Sequence, residues 1–241
     1  MKKMIYFTPA IIALLLYIVL GFVSGFGAIN PMVWLWIAII FISAVVMLKD
    51  KWYGCIGGFR MENDILLKYR ILNAEEVNRE IFKDFIRHQN VTKCWRKENG
   101  RWIIKEAPFI DDWTEKDYQI LIYCLKNTIT SNGFVYAAFY DGKLKGFVSV
   151  ESEMFGGKQG YCDLSSIHIS EDMRRKGIGR TLFLAAKEWA KQKGAKKLYI
   201  SAHSAVESQA FYKSMGCVEA EVYNQKHVED EPYDCQLECS L

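Results

Sequence analysis

Arg174-Arg175-Lys176-Gly177-Ile178-Gly179-Arg180-Thr181-Leu182 is the stretch whose residue types and spacing point most directly to chemistry. It lies between a strand expected to end at Ile169 and an amphipathic helix pattern. A helix start presents unpaired N–H groups and a partial positive charge. Glycine at 177 and 179 lets backbone amides approach an anion without a side chain in the way, and the basic residues add charge, so the stretch reads as a diphosphate cradle. The plainer reading is a basic helix start loosened by glycines. It is not a P-loop, since no Gly-Lys-Ser/Thr closes it, and it lacks the third glycine of a dinucleotide fingerprint.

The elements that must position this stretch can be read coarsely. Alternation predicts a strand at 66–72, and Asn73 with Glu76 predicts a capping box opening a helix at 74–89. A helix at 115–130 starts behind Thr114 with Asp117. Strands at 133–140 and 143–152 are joined by Asp141-Gly142, a strong hairpin signal. A strand at 160–169, a helix at 178–193 and a strand at 196–202 follow. A helix from Ser204 to about Ser214 with Glu207 as its capping partner, and strands near 217–223 and 233–239, complete the order. An early hairpin and late alternation together imply an α/β domain with a mixed sheet and helices on its faces.

The residues from 160 to 217 resemble the GNAT superfamily of acetyl-CoA-dependent N-acetyltransferases. Arg174, Gly177 and Gly179 match its Arg/Gln-x-x-Gly-x-Gly/Ala motif, flanked by Asp163–Ile169 and Leu182–Trp189. Ala210-Phe211-Tyr212-Lys213-Ser214-Met215-Gly216-Cys217 looks like the family's Phe-Tyr-x-x-x-Gly-Phe segment, with Cys217 in place of the aromatic. Gly179 and Tyr212 lie about 33 residues apart, the right separation, and element order extends the resemblance over 65–240.

The resemblance implies transfer of an acetyl group from acetyl-CoA to a primary amine, by direct attack through a tetrahedral intermediate. That reaction needs a base to free the amine and an acid to protonate the departing thiolate. By position Tyr212 matches the family's acid. Asp163 stands where some members carry a glutamate that works through water, and His203, ending the fifth strand, is a rival base with a suitable intrinsic pKa. The cosubstrate site implied comprises the strand edge Ser165–Ile169 (Ser166, Ile167, His168, Ile169), the cradle Arg174, Arg175, Lys176, Gly177, Ile178, Gly179, Arg180 and Thr181, and Ser208 with Tyr212 on the following helix. His168 is also read as packing within its strand. Ser204, Ala205 and Glu207 occupy the region where many members carry an asparagine, a departure that touches the pantetheine arm and leaves the cradle intact. No metal is expected.

Ahead of this domain, Met4 to Leu48 contains no charged residue, and Asn30-Pro31 interrupts the run. About 21 residues to Ser24 and about 18 from Pro31 are close to what a bilayer core requires, so residues 1–48 read as a two-span transmembrane hairpin. Lys2 and Lys3 before it and Lys49 and Lys51 after it would hold both termini in the cytoplasm. Residues 49–64 read as a linker and 65–241 as the catalytic domain. A signal peptide shares the basic start, but the apolar stretch is long and a second span follows.

The chain has 241 residues and a formal net charge of +3. Five basic residues against Asp50 put a charge of about +4 in the first sixty, leaving the remainder near neutral, which argues against a nucleic-acid partner. Seven cysteines without a regular framework fit a reducing compartment. Within 73–131, expected to hold two helices and the loop that selects the acceptor, Trp95, Trp102, Phe109, Trp113 and Asp111-Asp112 would suit a cationic amine, small or peptidic. Glu229, Asp230, Glu231 and Asp234 invite the same idea, although an acidic run is ordinarily a solvated turn. A noncatalytic acyl-CoA-binding module anchored to a membrane is the alternative, and a homodimer is compatible with either.

Overall fold

Residues at the tips of two hairpins set much of the architecture. The computed structural model describes residues 66–241, which form one unit. The spans expected within 1–48 and the linker at 49–64 lie outside the described residues. Among the described residues no helix is long and apolar enough to cross a membrane.

Strand β1 (Leu67–Ile71) lies antiparallel to β4 (Phe134–Tyr140), which pairs with β5 (Lys143–Val150) across Asp141-Gly142. These two residues take φ of 51° and 73°, the left-handed pair that lets a two-residue turn follow the twist of its strands. Strand β5 next pairs with β8 (Ser166–Ile169), closing a four-stranded sheet in the order β1-β4-β5-β8. A second sheet has the order β10-β11-β9-β7-β6, from β6 (Met154–Phe155), β7 (Tyr161–Asp163), β9 (Lys197–Ala202), β10 (Val218–Glu219) and β11 (Cys235–Ser240). Among the described strands only β7 and β9 run parallel, so the mixed arrangement expected from the sequence is present.

Helix α1 (Glu115–Thr130) opens with the expected box, the Thr114 amide donating to Asp117 Oδ2 at 2.7 Å and the Asp117 amide to Thr114 Oγ1 at 3.4 Å. Its Tyr118, Leu121 and Leu125 pack with Val135, Ala137 and Phe147 on one face of the first sheet. Helix α2 (Ile178–Gln192) buries Ile178, Leu182, Phe183 and Ala186 on the other face, against Val148, Val150, Leu198 and Ile200. Strand β5 is therefore covered on both sides, and every residue from Leu144 to Val150 is buried. At about 1.5–3 kcal/mol for each large apolar side chain, these two layers hold the domain.

Four expectations need correction. The helix at 74–89 is absent, although Asn73 and Glu76 form both bonds of their box, at 3.1 and 3.0 Å. Asn78 Oδ1 takes the Ile81 amide that a continuing helix would give to residue 77, so the chain turns and makes only a short 3₁₀ turn, Glu80–Phe82. A long hairpin then follows where helix and loop were expected, β2 (His88–Glu98) and β3 (Arg101–Asp112), with Asn99-Gly100 at its tip in the same left-handed geometry as Asp141-Gly142. The strand at 160–169 divides at Leu164-Ser165, its first part joining β9 and its second β5. Finally, the helix expected from Ser204 begins two residues later, as α3 (Val206–Ser214), without a side-chain cap. Ser204 is engaged elsewhere: its carbonyl accepts from the Trp95 amide at 2.8 Å and its Oγ from Arg96 Nη1 at 2.8 Å. A short helix α4 (Gln225–Asp230), capped by Asn224, was not anticipated.

Candidate functional site

The break at Leu164-Ser165 creates the site. Leu164 gives its amide to Tyr199 O, the last link to β9, while Ser165 gives its amide to Ser149 O on β5. The break is fixed by side chains: Ser165 Oγ bonds both Ser149 Oγ, at 2.8 Å, and Glu151 Oε1, at 2.7 Å, and Thr128 Oγ1 also donates to Glu151. From here β8 and β9 diverge, and the outer edge of β8 has no strand partner among the described residues. A cleft of about 1250 Å³ fills the gap.

One wall is the start of α2. Gly177 caps it with φ of 84°, a left-handed conformation that favours glycine, and a Cβ there would meet nothing within 4 Å. Space in front of Gly177 is what an anion approaching the helix amides needs. Gly179 answers a packing demand, since a Cβ on it would stand 3.3 Å from the Phe211 ring of α3. Arg175, Lys176 and Arg180 are exposed around this turn. Arg174 is used differently from the expectation: its guanidinium donates to His88 O at 2.5 Å and Ile169 O at 3.4 Å, so it ties the loop to β2. Thr181 Oγ1 lies 3.4 Å from Gly177 O and closes the first turn.

The β2–β3 hairpin spans the cleft and is fastened on both sides. On the β8 side the Ile86 amide donates to Ser170 Oγ at 3.0 Å, and Arg174 reaches His88. On the β9 side Trp95 and Arg96 hold Ser204, Cys94 bridges Ala205, and Lys97 and Trp102 both bond Glu219. Gln89, Asn90 and Asp111 of this hairpin line the cleft, as do Arg87 and Trp113 on either side of it. Arg87 pairs with the Asp111 carboxylate while its guanidinium lies 5.3 Å from the Trp113 ring. The anticipated aromatic and carboxylate group is thus partly on the cleft, carried by a hairpin; Arg87 gave no signal in the sequence.

Three residues of the cleft, Tyr212, His168 and His203, have displaced pKa values. Tyr212, 8% exposed on α3, has its phenol pushed up by burial first and then by Cys217 and Asp234, so it is fully protonated at neutral pH. Its hydroxyl has no hydrogen-bond partner among the described residues. His168 contacts the Trp113 and Phe147 rings, at 4.7 and 5.4 Å between centroids, and burial followed by Arg87 and Arg174 lowers it to about 3. It is a neutral packing residue as well as part of the β8 edge. His203 lies 5.7 Å from the Phe109 ring, is lowered by burial, and accepts the Ala205 amide at Nδ1 at 3.2 Å.

The structure brings Ser166–Ile169, the α2 start, Ser208, Tyr212 and His203 together on one cleft. Asp163 is not among the lining residues: it sits on β7 with Oδ2 2.6 Å from His227 Nε2. Two lining residues whose role the sequence reading did not anticipate are Ser201 and Asp234. Asp234 was visible only as part of an acidic run, and Ser201 as an ordinary strand residue. Among the described residues no cluster of three or more His, Cys, Asp or Glu could hold a metal ion.

Comparison with solved structures finds the same fold repeatedly. The crystal structure of nourseothricin acetyltransferase superposes with a TM-score of 0.53 at 16% identity, covering 73% of this chain and 98% of that one. A Bacillus anthracis str. Ames protein, provisionally described as a streptothricin acetyltransferase and solved in complex with acetyl coenzyme A, gives 0.54 at 14% identity, again covering 73% and 98%. At these identities the likeness is one of fold. A comparison with curated proteins gives no match. Residues 88–217, more than half of the chain and including both the cradle and Tyr212, match the family described as Acetyltransferase (GNAT) family. The chain belongs to the GNAT family of acetyltransferases.

Proposed function

We propose that this protein transfers an acetyl group from acetyl-CoA to a primary amine, by direct attack through a tetrahedral intermediate. The observation that carries the reading is the divergence of β8 from β9 beside the open Gly177 turn, with Tyr212 on the same cleft. Phosphates would lie against the amides of Gly177–Thr181, with Arg175, Lys176 and Arg180 around them. A pantetheine arm would pair with the outer edge of β8 as an added strand, near Ser208. Acetyl coenzyme A in the Bacillus anthracis neighbour supports the same donor here.

The amine, small or peptidic, would enter beneath the β2–β3 hairpin, past Gln89, Asn90, Asp111 and Trp113. Tyr212, protonated and without a hydrogen-bond partner among the described residues, would give its proton to the departing sulfur. In the noncatalytic alternative the cradle binds the same ligand and Tyr212 only packs; its free hydroxyl on the cleft favours the enzyme. Residues 4–48 would anchor the chain in a membrane as two spans, with this domain on the cytoplasmic side, a location that the flanking lysines support.

The test is acetyl-CoA turnover by the full chain against a panel of primary amines, including nourseothricin, spermidine and lysine-terminated peptides. Saturable turnover with at least one class is the expected result. Tight coenzyme binding with no turnover on any of them would favour the binding module. Carbonate washing of membranes from expressing cells tests the anchor: the chain should stay in the pellet, and its release would remove the two-span reading.

A further inference from the structure

We propose that Asp234 is the general base, the group that takes the proton from the acceptor amine. The inference rests on the acetyltransferase reading and assigns the half of its proton chemistry that Tyr212 leaves open.

Asp234 stands at the foot of β11, where Cys235 pairs with Ala202 at the diverging end of β9. A directed chain of hydrogen bonds leads to it. The Tyr199 hydroxyl donates to Gln236 Oε1, and Gln236 Nε2 donates to Ser201 Oγ at 3.0 Å. Ser201 Oγ therefore has its own proton left to give, and it gives it to Asp234 Oδ2 at 3.4 Å. The chain fixes one carboxylate oxygen as an acceptor. The other has no protein hydrogen bond among the described residues, and Asp234 lines the cleft.

The surroundings suit a base at neutral pH. Asp234 is raised to about 6, by burial first and then by Glu231 of the same turn, against the Ser201 bond, His227 of α4 and Arg96 of β2. Tyr212 of α3 lines the same cleft, close enough that the Asp234 charge raises the phenol. Arg96 is drawn elsewhere, to Ser204 Oγ and over the Tyr233 ring at 4.8 Å. Glu231, exposed at the mouth, adds a negative charge that favours an incoming ammonium.

The other two candidates are less free. Asp163 has one oxygen on His227 and the other buried, and it does not line the cleft. His203 accepts an amide proton at Nδ1, so its neutral ring carries the remaining proton on Nε2 and presents a donor.

The protons balance. The ammonium gives one proton to Asp234, which passes it to solvent, and the free amine nitrogen forms a C–N bond to the thioester carbonyl carbon. As the C–S bond breaks, Tyr212 protonates the sulfur. The second nitrogen proton of the zwitterionic adduct restores the phenol, and the products are the amide, the thiol and one released proton.

The test is the pH dependence of kcat/KM for the best amine of the panel, in the full chain, with calorimetry of acetyl-CoA alongside. Wild type should show an acid limb with an inflection near 6. In Asp234→Asn the limb should disappear and kcat fall by about 100-fold or more, with acetyl-CoA affinity unchanged. His203→Gln should keep the limb. An unaltered limb and kcat in Asp234→Asn would overturn the assignment, as would loss of the limb in His203→Gln alone. Nuclear magnetic resonance of ¹³C-labelled aspartate, assigned with the same variant, gives a reading that needs no acceptor: titration of Asp234 in the ordinary carboxylate range would equally overturn it. Failure of wild type to bind acetyl-CoA would instead sink the acetyltransferase reading.

Discussion

Asp163 Oδ2 lies 2.6 Å from His227 Nε2, joining β7 to α4 through a pair that the cleft does not include. The hydrogen bond to Asp163 holds His227 above its ordinary pKa, against burial. A histidine raised in the folded state contributes stability in full below its unfolded pKa and loses it as pH rises through the folded value. Asp163→Asn should therefore cost about 2 kcal/mol at pH 6 and little at pH 9, read from thermal or urea unfolding. Acetyl transfer should survive in this variant. Unchanged unfolding at pH 6 with lost turnover would return Asp163 to the catalytic base role.

Asp234, also raised in the folded state, loses stability in the same direction with pH, but removing it has the opposite effect. Its pKa is raised from 3.8 to about 6, chiefly by burial, so its contribution to stability is full below about 4 and is lost as pH rises through 6. Two pKa steps correspond to about 3 kcal/mol, the cost of keeping this carboxylate ionised at pH 8. Asp234→Asn should melt at a higher temperature than wild type at pH 8 and at a similar one at pH 4. A variant that melts lower at pH 8 would show that the carboxylate holds the fold and does not burden it.

Tyr212→Phe removes one hydroxyl and keeps the ring against Phe183 and Phe211, at 6.3 and 5.2 Å between centroids. Since the hydroxyl has no partner among the described residues, unfolding should be nearly unchanged. Turnover should fall by about 100-fold while coenzyme binding persists. Full turnover would reduce Tyr212 to a packing residue.

What could be read from the sequence follows a physical division. Elements whose instructions are local were legible: the Asp141-Gly142 turn, the Thr114 box, and the glycines ahead of α2 each act within a few residues. Local instructions also misled. Asn73 and Glu76 form the bonds of a helix start, yet Asn78 captures the next amide and no helix grows. Asn99-Gly100 is as clear a hairpin signal as Asp141-Gly142, yet the expected elements leave it in the loop between two helices. The long-range features were not legible. Ser204 has the form of a helix cap, but β2, more than a hundred positions earlier, takes both its carbonyl and its hydroxyl. The value of Asp234 likewise depends on Ser201 and Gln236, which alternate with other residues along their strands and announce nothing by themselves.

The central claim is that the α2 start binds the diphosphate of acetyl-CoA, and calorimetry of acetyl-CoA against the full chain tests it most directly, with Gly177→Glu as the comparison. Gly177 is left-handed and opens on empty space, so a glutamate there strains the turn and places a negative charge where phosphate would lie. Micromolar binding by wild type that the variant loses, with the variant still folded by circular dichroism, is the predicted result. Binding of equal strength by both, or none by a folded wild type, would contradict it.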